Sequence, residues 1–504
     1  MPPLKPIPTL IDSEDTPCCS SPGMTSPPLI DHTNLGTGLS GPPVSRWWGY
    51  FPELRRDTLG FLLRCQTYGD VVKLPMGHVL ELFLRQPDAA MYVLNHPADV
   101  KHILVTNQDN YQKGPVPPVE SRIFGQGVLH TESTIHHRQR RLFLPFFHGH
   151  QVAAYSSLIT STAHAHVAEW YDGMTVDIGQ EMAHLTLSII WRLLFGQDLQ
   201  ADASLIRDAI SAGQRLIKLQ YDSFLASLIP LWIPLPRHRR FLRGFHVIEE
   251  TLIQLIRDRR RNPSYRNDVL SLLLAAKDAD GHSLNEREIR DELMTFLLAG
   301  HETTANALTW TWALLSQTES VRERLVCELN DVLGDRPPDA ADLPRLRYLK
   351  MIWDESLRLY PPAWSLHTRV AHAEDRLPSG AILPPGSWVF ISPWNLHRNP
   401  RWFPDPTQFD PERFSEAACQ TRPAFTYIPF GAGGRRCLGE SFAELEGLLV
   451  LATVASKIRL RLNDGRVIKP EPGMTLHPHI PVQMTVEQLR PLQTPSTVAS
   501  VDCF

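Results

Sequence analysis

The sequence lacks the features that mark several classes of protein. It has only seven cysteines in 504 residues and no CxxC pair, which argues against a secreted disulfide scaffold and a zinc module. Its 50 Lys and Arg are balanced by 54 Asp and Glu, whereas a nucleic-acid-binding protein should carry a strong basic excess. No run of about 18 apolar residues occurs, so no membrane-spanning helix is predicted.

Proline, in contrast, is abundant, with 43 residues in 504, above the usual share of roughly 5%. Residues 1–45 combine many prolines with Ser, Thr and Gly, and we predict that this leader is disordered because it cannot bury enough apolar surface. It has neither the basic nor the apolar region of a secretory signal, so a cytoplasmic protein is expected. Gly36–Gly41 fits GxGxxG, but no strand precedes it and Pro42 follows, which favours a linker over a dinucleotide site.

The rest of the chain shows no second change of composition. We therefore expect one domain over residues 46–492, followed by a polar tail at 493–504. Helical periodicity dominates from about 120 to 330. Short strands are predicted at 71–74, 80–85, 385–395 and 457–462. The expected fold class is mainly α with a minor β portion.

The longest helical pattern runs from about residue 286 to 315, and roughly thirty residues would form a rod of about 45 Å. At its middle lies the segment Ala299-Gly300-His301-Glu302-Thr303-Thr304. The glycine and the two threonines weaken the helix next to an acid and a hydroxyl. On this pattern alone, a tolerated kink and a functional site remain equally open. A second helix, predicted at 343–359, carries Glu355 and Arg358 one turn apart.

A cysteine-containing loop is the most informative segment. Residues 430–440 read FGAGGRRCLGE and precede an apolar helical pattern over 442–454. A cysteine near a helix N-terminus and beside arginines has its thiolate favoured by the helix dipole and by the cations. The glycines let backbone amides approach the sulfur. This chemistry suits a metal-bound thiolate, while the alternative for any single cysteine is a small buried hydrophobe.

The loop resembles the FxxGxRxCxG haem-binding loop of the cytochrome P450 family, through Phe430, Gly433, Arg435, Cys437 and Gly439. The 299–304 segment resembles the oxygen-activation motif [AG]GxxT of that family, residues 355–358 its ExxR motif, and residues 411–414 its PERF motif. All four stand in the order that the family has. The resemblance covers the chain from residue 46 and implies the cytochrome P450 fold, with a long central helix over the haem.

The resemblance implies a thiolate-ligated haem b, with Cys437 as the ligand of the iron. It places Arg435, Arg369 and Arg140 at the haem propionates, and His136 where the family has a tryptophan. The predicted cofactor-binding residues are Cys437, Arg435, Phe430, Gly433, Gly439, Arg140, His136, Arg369 and Ala299. Glu355, Arg358 and Arg413 are expected to form a structural triad that supports folding and haem retention, because buried charges are tolerated only when they are paired.

The implied reaction inserts one oxygen atom of O2 into a lipophilic substrate by hydroxylation or epoxidation. Thr303 and Glu302 are the predicted catalytic residues, which deliver protons. The sequence has no supported flavin or nicotinamide site, so an external ferredoxin or flavodoxin with its reductase is expected to supply electrons. Arg138, Arg140, Arg141 and Arg436 are candidates for its docking patch. The alternative for these arginines is a solvated helix face.

The predicted substrate pocket contains Phe296, Trp364 and Leu366, with Ala299 and Ser365 beside them. These residues suggest a fatty acid, a terpenoid or a polyketide-like substrate. The apolar stretch 224–236 fits an access lid and fits ordinary packing at least as well. Two other functions stay open: a haem-thiolate sensor without turnover, and a peroxide-using or isomerase variant of the fold. The acid–hydroxyl pair at 302–303 favours the monooxygenase.

Overall fold

A computed structural model describes residues 29–30, 39–147, 149–199, 203–222, 226, 229–262, 268–463 and 466–489. The α-helices, numbered α1 to α18 in chain order, are Phe51–Arg56, Thr58–Cys65, His78–Leu84, Pro97–Lys101, Pro118–Phe124, Ser133–Phe143, Gly149–Ala153, Ser156–Val167, Ile178–Phe195, Ala203–Asp222, Pro236–Arg261, Val269–Ala275, Glu286–Gln317, Glu319–Leu333, Arg347–Leu359, Pro393–Leu396, Glu416–Thr421 and Glu440–Ala455. None of these helices combines the length and the apolar character that a bilayer crossing requires.

The strands are short, as expected for a minor β portion. Numbered β1 to β14, they are Leu29–Ile30, Val44–Ser45, Val71–Pro75, Ala90–Leu94, Tyr111–Lys113, Thr175–Asp177, Arg369–Ala371, Asp375–Arg376, Ile382–Leu383, Trp388–Ile391, Ile458–Leu462, Pro470–Pro472, Leu476–Pro478 and Gln483–Gln488. The mainly helical class predicted from the sequence is confirmed.

The chain forms two compact units. The first comprises residues 1–114, 357–436 and 466–472, and the second comprises 115–356, 437–465 and 473–504. The single domain over 46–492 stays a prediction.

A five-stranded sheet organises the first unit, in the order β3-β4-β10-β7-β5. β4 and β10 are parallel, with Tyr92 opposite Val389, and the other neighbours are antiparallel. β-branched and aromatic residues fill these strands and suit a pleated, half-buried surface. One face of the sheet packs on a core that includes Leu94, Ile103 and Ile391.

The long helix α13 organises the second unit. Its first turn is fixed by a capping box, in which the Asn285 side chain accepts from the backbone N–H of Glu288 while the Glu288 side chain accepts from that of Asn285. Every side chain from Ile289 to Leu298 is buried. α13 packs against α9 and α11, and α18 packs against α8. A three-stranded sheet, ordered β11-β14-β6, completes this unit.

The glycine at the middle of α13 has a packing role. A Cβ at Gly300 would lie 3.0 Å from Cδ1 of Ile190 on α9, closer than ordinary van der Waals contact. One residue later, the Thr186 hydroxyl of α9 donates to the His301 carbonyl oxygen at 3.0 Å. α13 runs through this point as one helix, so the glycine permits close helix packing, and the helix does not end there.

Several predicted elements need correction. Residues 80–84 belong to helix α3 and Arg85 caps it, because a short apolar run does not distinguish a strand from a helix. The strand predicted at 385–395 is confined to β10, since Pro393 begins α16. The helix predicted at 343–359 begins at Arg347. The strands at 71–74 and 457–462, the long helix from 286 and the helix after Cys437 are confirmed within two residues.

Residues 39–45 of the leader pack against the five-stranded sheet, so the disorder that we predicted for residues 1–45 is wrong for this part. The backbone N–H of Lys73 donates to the Ser40 carbonyl oxygen, and a Cβ at Gly41 would lie 2.3 Å from the Lys73 carbonyl oxygen. β2 pairs antiparallel with β1. The rest of the leader, at 1–28 and 31–38, lies outside the described residues, as do the tail and part of the 224–236 stretch.

Candidate active site

Cys437 lies in a glycine-rich loop directly before a helix. A 3-10 turn spans Gly433–Arg435, and α18 begins at Glu440. The Cys437 thiol is exposed, and a Cβ at Gly439 would lie 4.0 Å from its sulfur. The sulfur therefore stands near the positive end of a helix dipole, where a thiolate is favoured.

Two glycines of this loop hold backbone conformations that favour glycine. Gly431 has φ 70° and Gly433 has φ 68°. Any Cβ at Gly433 would also lie 1.8 Å from the carbonyl oxygen of Leu104, whereas the nearest atom at Gly431 is Cδ2 of Leu366 at 3.8 Å. The next amide, that of Gly434, donates to the Gln108 side-chain oxygen at 3.0 Å. The loop is thus fixed by backbone contacts that side chains would disrupt.

The exposed side of α13 fits a large apolar group. After ten buried residues, Ala299 is exposed and Gly300 and Thr303 are half-buried. An exposed alanine at the middle of a buried helix fits a flat, mostly apolar ligand such as a porphyrin. The accessible thiol of Cys437 suits iron, so these residues fit a thiolate-ligated haem, which when bound supplies the chemistry that activates oxygen.

Thr303 and Glu302 lie on this same turn. The Thr303 hydroxyl donates to the Ala299 carbonyl oxygen at 2.7 Å, which fixes its rotamer. Burial raises the pKa of the Glu302 carboxyl, and hydrogen bonds from the side chains of Thr475 and Gln214 lower it in part. The Thr475 hydroxyl donates to Glu302 and accepts from the Asn306 side-chain amide at 2.9 Å. A carboxyl with a raised pKa beside a hydroxyl can hold a proton and release it.

Helix α6 carries the two predicted propionate ligands His136 and Arg140. They are four residues apart and so share one helix face, with His136 buried and Arg140 half-buried.

Arg138, which we predicted as part of the docking patch, forms salt bridges within its own unit instead. Its Nε donates to Asp278 at 2.8 Å and its NH1 to Glu288 at 3.0 Å, so its charge is already balanced.

The first unit holds the other predicted propionate ligands. Arg369 begins β7 and is buried, with NH1 donating to the His367 carbonyl oxygen at 2.6 Å. Arg435 ends the 3-10 turn of the thiolate loop and is half-buried, as is Phe430 at the start of the loop. Arg436 is exposed.

The residues predicted as a structural triad are buried or tied to backbone. Glu355 and Arg358 are completely buried on α15. Arg358 donates to the carbonyl oxygens of His397, Pro406 and Gln408 at 2.8–3.0 Å. Arg413 donates to the carbonyl oxygen of Asp405 at 3.0 Å. Both arginines therefore hold the segment 405–408, which agrees with a role in folding.

An apolar cavity lies within the second unit, between α5, α10, α11 and α13. Its described lining is Ile123, Phe124, Ala209, Ile210, Gly213, Gln214, Ile217, Phe241, Phe245, Ile248, Met294, Leu298 and Met474. Phe296, predicted for the pocket, is not among these residues. It is buried on another face of α13, where its ring packs edge-on against Phe143 and Phe147. Trp364, Ser365 and Leu366 run alongside the end of β10, where the Leu366 amide donates to the Ile391 carbonyl oxygen.

Comparison with known proteins agrees with this geometry. The family model described as "Cytochrome P450" matches residues 40–486. The chain belongs to the cytochrome P450 family. Among its P450 relatives is a cyclooctatin synthase of Streptomyces melanosporofaciens, which is 35% identical over 89% of this chain and 95% of the relative. A cyclooctat-9-en-7-ol 5-monooxygenase of the same organism is 33% identical over 90% of this chain and 94% of the relative.

Solved structures show the same fold. The crystal structure of the cytochrome P450DA heme domain superposes with a TM-score of 0.77 at 22% identity, over 90% of this chain and 98% of that one. The P450 fold, a thiolate-ligated haem b and the monooxygenase class predicted from the sequence are thereby confirmed. A P450 monooxygenase uses O2, an organic substrate and an electron-donor partner.

The sequence did not reveal the walls of this apolar cavity. The described lining residues come from four separate helices and from Met474, and most are apolar residues that look like ordinary core. Gln214 is the exception among the described lining residues, because a polar side chain on the inner face of α10 interrupts the apolar pattern. That interruption was a usable signal.

Proposed function

We propose that this P450 oxygenates a terpenoid, by hydroxylation or epoxidation of a largely hydrocarbon skeleton. The similarity to two relatives named for cyclooctatin chemistry, over nearly their full lengths, carries this proposal. The described residues that face one another between α5, α10, α11 and α13 are mostly aliphatic and aromatic, so a hydrocarbon skeleton would meet apolar surface there and the carboxylate of a fatty acid would meet no charge among them.

In the proposed site, Cys437 is the thiolate ligand of the iron, and Gly433 and Gly439 let the loop backbone approach the sulfur. Arg435, Arg369, Arg140 and His136 anchor the propionates, with Phe430 and Ala299 packing on the macrocycle. Glu355, Arg358 and Arg413 hold the supporting segment. These assignments follow the family motifs position by position.

Proton delivery is assigned to two neighbouring residues of α13. Glu302 accepts a proton within its network of Thr475 and Gln214 and releases it toward the oxygen-binding side. The Thr303 hydroxyl, oriented by its bond to Ala299, passes it on. Burial raises the pKa of the Glu302 carboxyl and so favours its protonated form, which is the form that can donate a proton.

The proposed electron donor is a ferredoxin or a flavodoxin with its reductase, acting in the cytoplasm. Exposed Arg141 and Arg436 and half-buried Arg140 are the candidates that remain for its docking. Arg138 is withdrawn from that patch because Asp278 and Glu288 balance its charge. Charge reversal at Arg141 should slow reduction at low salt while leaving substrate affinity unchanged.

A ligand panel tests the substrate class. Purified holoenzyme is titrated with sesquiterpenes, diterpenes and fatty acids while the Soret shift is followed, and ligands that shift it are turned over under isotopically labelled O2. Terpenoids should give the shift and incorporate one labelled atom. A panel in which only fatty acids do so would contradict the proposal.

A further inference from the structure

A buried threonine outside α13 is hydrogen bonded to the proposed proton donor. Thr475 is only 4% exposed and lies directly before β13. Its hydroxyl donates to the Glu302 carboxyl and accepts from the Asn306 side-chain amide at 2.9 Å. Because the amide supplies the hydrogen of that second bond, the single hydroxyl hydrogen of Thr475 is left for Glu302. The bonds therefore run in one direction, from Asn306 through Thr475 to Glu302.

One face of α13 holds Thr475 in this position. Glu302, Asn306 and Trp310 follow one another at four-residue steps and so share that face. The first two bond the Thr475 hydroxyl, and the indole Nε1 of Trp310 donates to the carbonyl oxygen of Leu476 at 3.3 Å. Successive turns of the helix thus fix the chain at 475–476, which keeps the hydroxyl beside the Glu302 carboxyl.

The surroundings of Glu302 act on its pKa in opposite directions. Burial raises this pKa, whereas hydrogen bonds from the side chains of Thr475 and Gln214 lower it in part, as does the charge of His477 on β13. A hydrogen bond to a carboxyl lowers its pKa by favouring the ionised form. Without the Thr475 hydroxyl, the pKa of Glu302 should therefore rise further, and the carboxyl would hold its proton more firmly.

We propose that Thr475 is a positioning residue for proton delivery, whose hydroxyl orients the Glu302 carboxyl and sets the pH range in which Glu302 donates a proton. This inference rests on the proposed role of Glu302 and deepens it. Thr475 acts through Glu302: its hydrogen bond stabilises the carboxylate that remains after the proton has left. Burial of Glu302 alone would leave an acid that releases its proton less readily.

The first test is the pH dependence of peroxide release per electron pair. Holoenzyme is reduced by a surrogate ferredoxin and its reductase, as wild type and as Thr475→Val, which keeps the shape of the side chain without its hydroxyl. The midpoint of the profile should move up by about one to two pH units in Thr475→Val, as expected for one hydrogen bond to a carboxylate. Thr475→Ser should restore the wild-type midpoint. Thr311→Val, which removes a buried hydroxyl bonded to the Ala307 carbonyl oxygen of its own helix, should leave the midpoint unchanged.

The second test measures the interaction without turnover. Free energies of unfolding of holoenzyme in urea are compared for Thr475→Val, Glu302→Gln and the double variant. The two losses should be non-additive, and more so at pH 8 than at pH 5, because the bond is strongest to the ionised carboxyl. Thr311→Val and Glu302→Gln should give additive losses at both pH values.

The outcomes separate the role of Thr475 from that of Glu302. If Glu302→Gln raises peroxide release but Thr475→Val keeps the wild-type midpoint, the inference is overturned and the proposed role of Glu302 stands. Non-additive losses with an unshifted midpoint also overturn it, because the bond would then serve folding alone. If Glu302→Gln releases no more peroxide than wild type at any pH, the proposed role of Glu302 fails and the inference fails with it.

Discussion

Gly433 offers the sharpest test of the thiolate loop, because the chain supplies its own control two residues away. Gly431 and Gly433 have nearly equal positive φ, at 70° and 68°. They differ in what a side chain would meet: the Leu104 backbone at Gly433 and ordinary contact with a leucine methyl at Gly431. Comparing the two alanine variants therefore separates backbone strain from a steric clash.

The expected magnitudes follow from these two terms. A left-handed conformation costs a non-glycine residue about 1–2 kcal/mol, and Gly431→Ala should lose that much in free energy of unfolding. Gly433→Ala adds an overlap with a carbonyl oxygen that cannot rotate away, worth about 1–3 kcal/mol more. Its total loss should be about 2–5 kcal/mol, and the loop should retain haem poorly.

The assay is urea unfolding of both holoenzymes, followed by Soret absorbance and by tryptophan fluorescence, with the haem-to-protein ratio of each preparation. Gly431→Ala should keep nearly full haem content while Gly433→Ala loses much of it. Equal losses in the two variants would refute the role of the Leu104 contact. An unaffected Gly433→Ala would refute the loop geometry itself.

Three other changes have defined outcomes. Thr303→Ala should keep haem but raise peroxide release per electron pair several-fold, because the oriented hydroxyl is lost; unchanged coupling would show another proton route. Arg358→Met should lower the free energy of unfolding by about 3–5 kcal/mol, since three carbonyl oxygens lose a donor. Arg322→Met removes an arginine at the same spacing from a glutamate, in a pair whose arginine is half-buried and whose Glu319 is exposed, and should cost under about 1 kcal/mol; similar losses in the two variants would contradict the burial argument. Burial raises the pKa of Glu446 to about 8. The protonated carboxyl therefore contributes fully to stability below the ordinary pKa of a glutamate, and this contribution is lost as the pH rises toward 8. The free energy of unfolding should fall by on the order of 3 kcal/mol between pH 5 and pH 8, and a similar fall in Glu446→Gln would contradict the assignment.

The sequence predicted best where a function depends on consecutive residues. The thiolate loop and the 299–304 turn each lie within a single stretch of chain, so spacing alone identifies them. The start of the long helix could also be predicted from neighbouring residues, because Asn285 and Glu288 form a capping box. The motifs of the thiolate loop, the 299–304 turn and the capping box can each be recognised without knowledge of the rest of the fold.

The apolar cavity was harder to predict because its walls are assembled from distant segments. Apolar side chains of α5, α10 and α11 have the same pattern whether they face a ligand or a core. Phe296 and Leu298 are two residues apart on α13, which turns them to different faces, and only Leu298 lines the cavity. Without knowing how the neighbouring helices pack on α13, the choice between Phe296 and Leu298 as a lining residue cannot be made from the sequence.

One arginine of the predicted basic patch proved to be paired, for a related reason. Arg138 stands among other arginines on α6, but its partners Asp278 and Glu288 are about 140 and 150 positions away in the chain. Charge clusters read from sequence omit the acids that folding brings beside them. Arg141, exposed on the same helix, is the better candidate.

The central claim is that the Cys437 sulfur would ligate the iron when haem is bound. The most direct measurement is the absorption spectrum of the reduced carbonyl complex of Cys437→Ser, with Cys419→Ser, another exposed cysteine, as the control. Wild-type protein and Cys419→Ser should show the red-shifted Soret band of thiolate ligation, and Cys437→Ser should not. A Cys437→Ser protein that keeps this band would contradict the account.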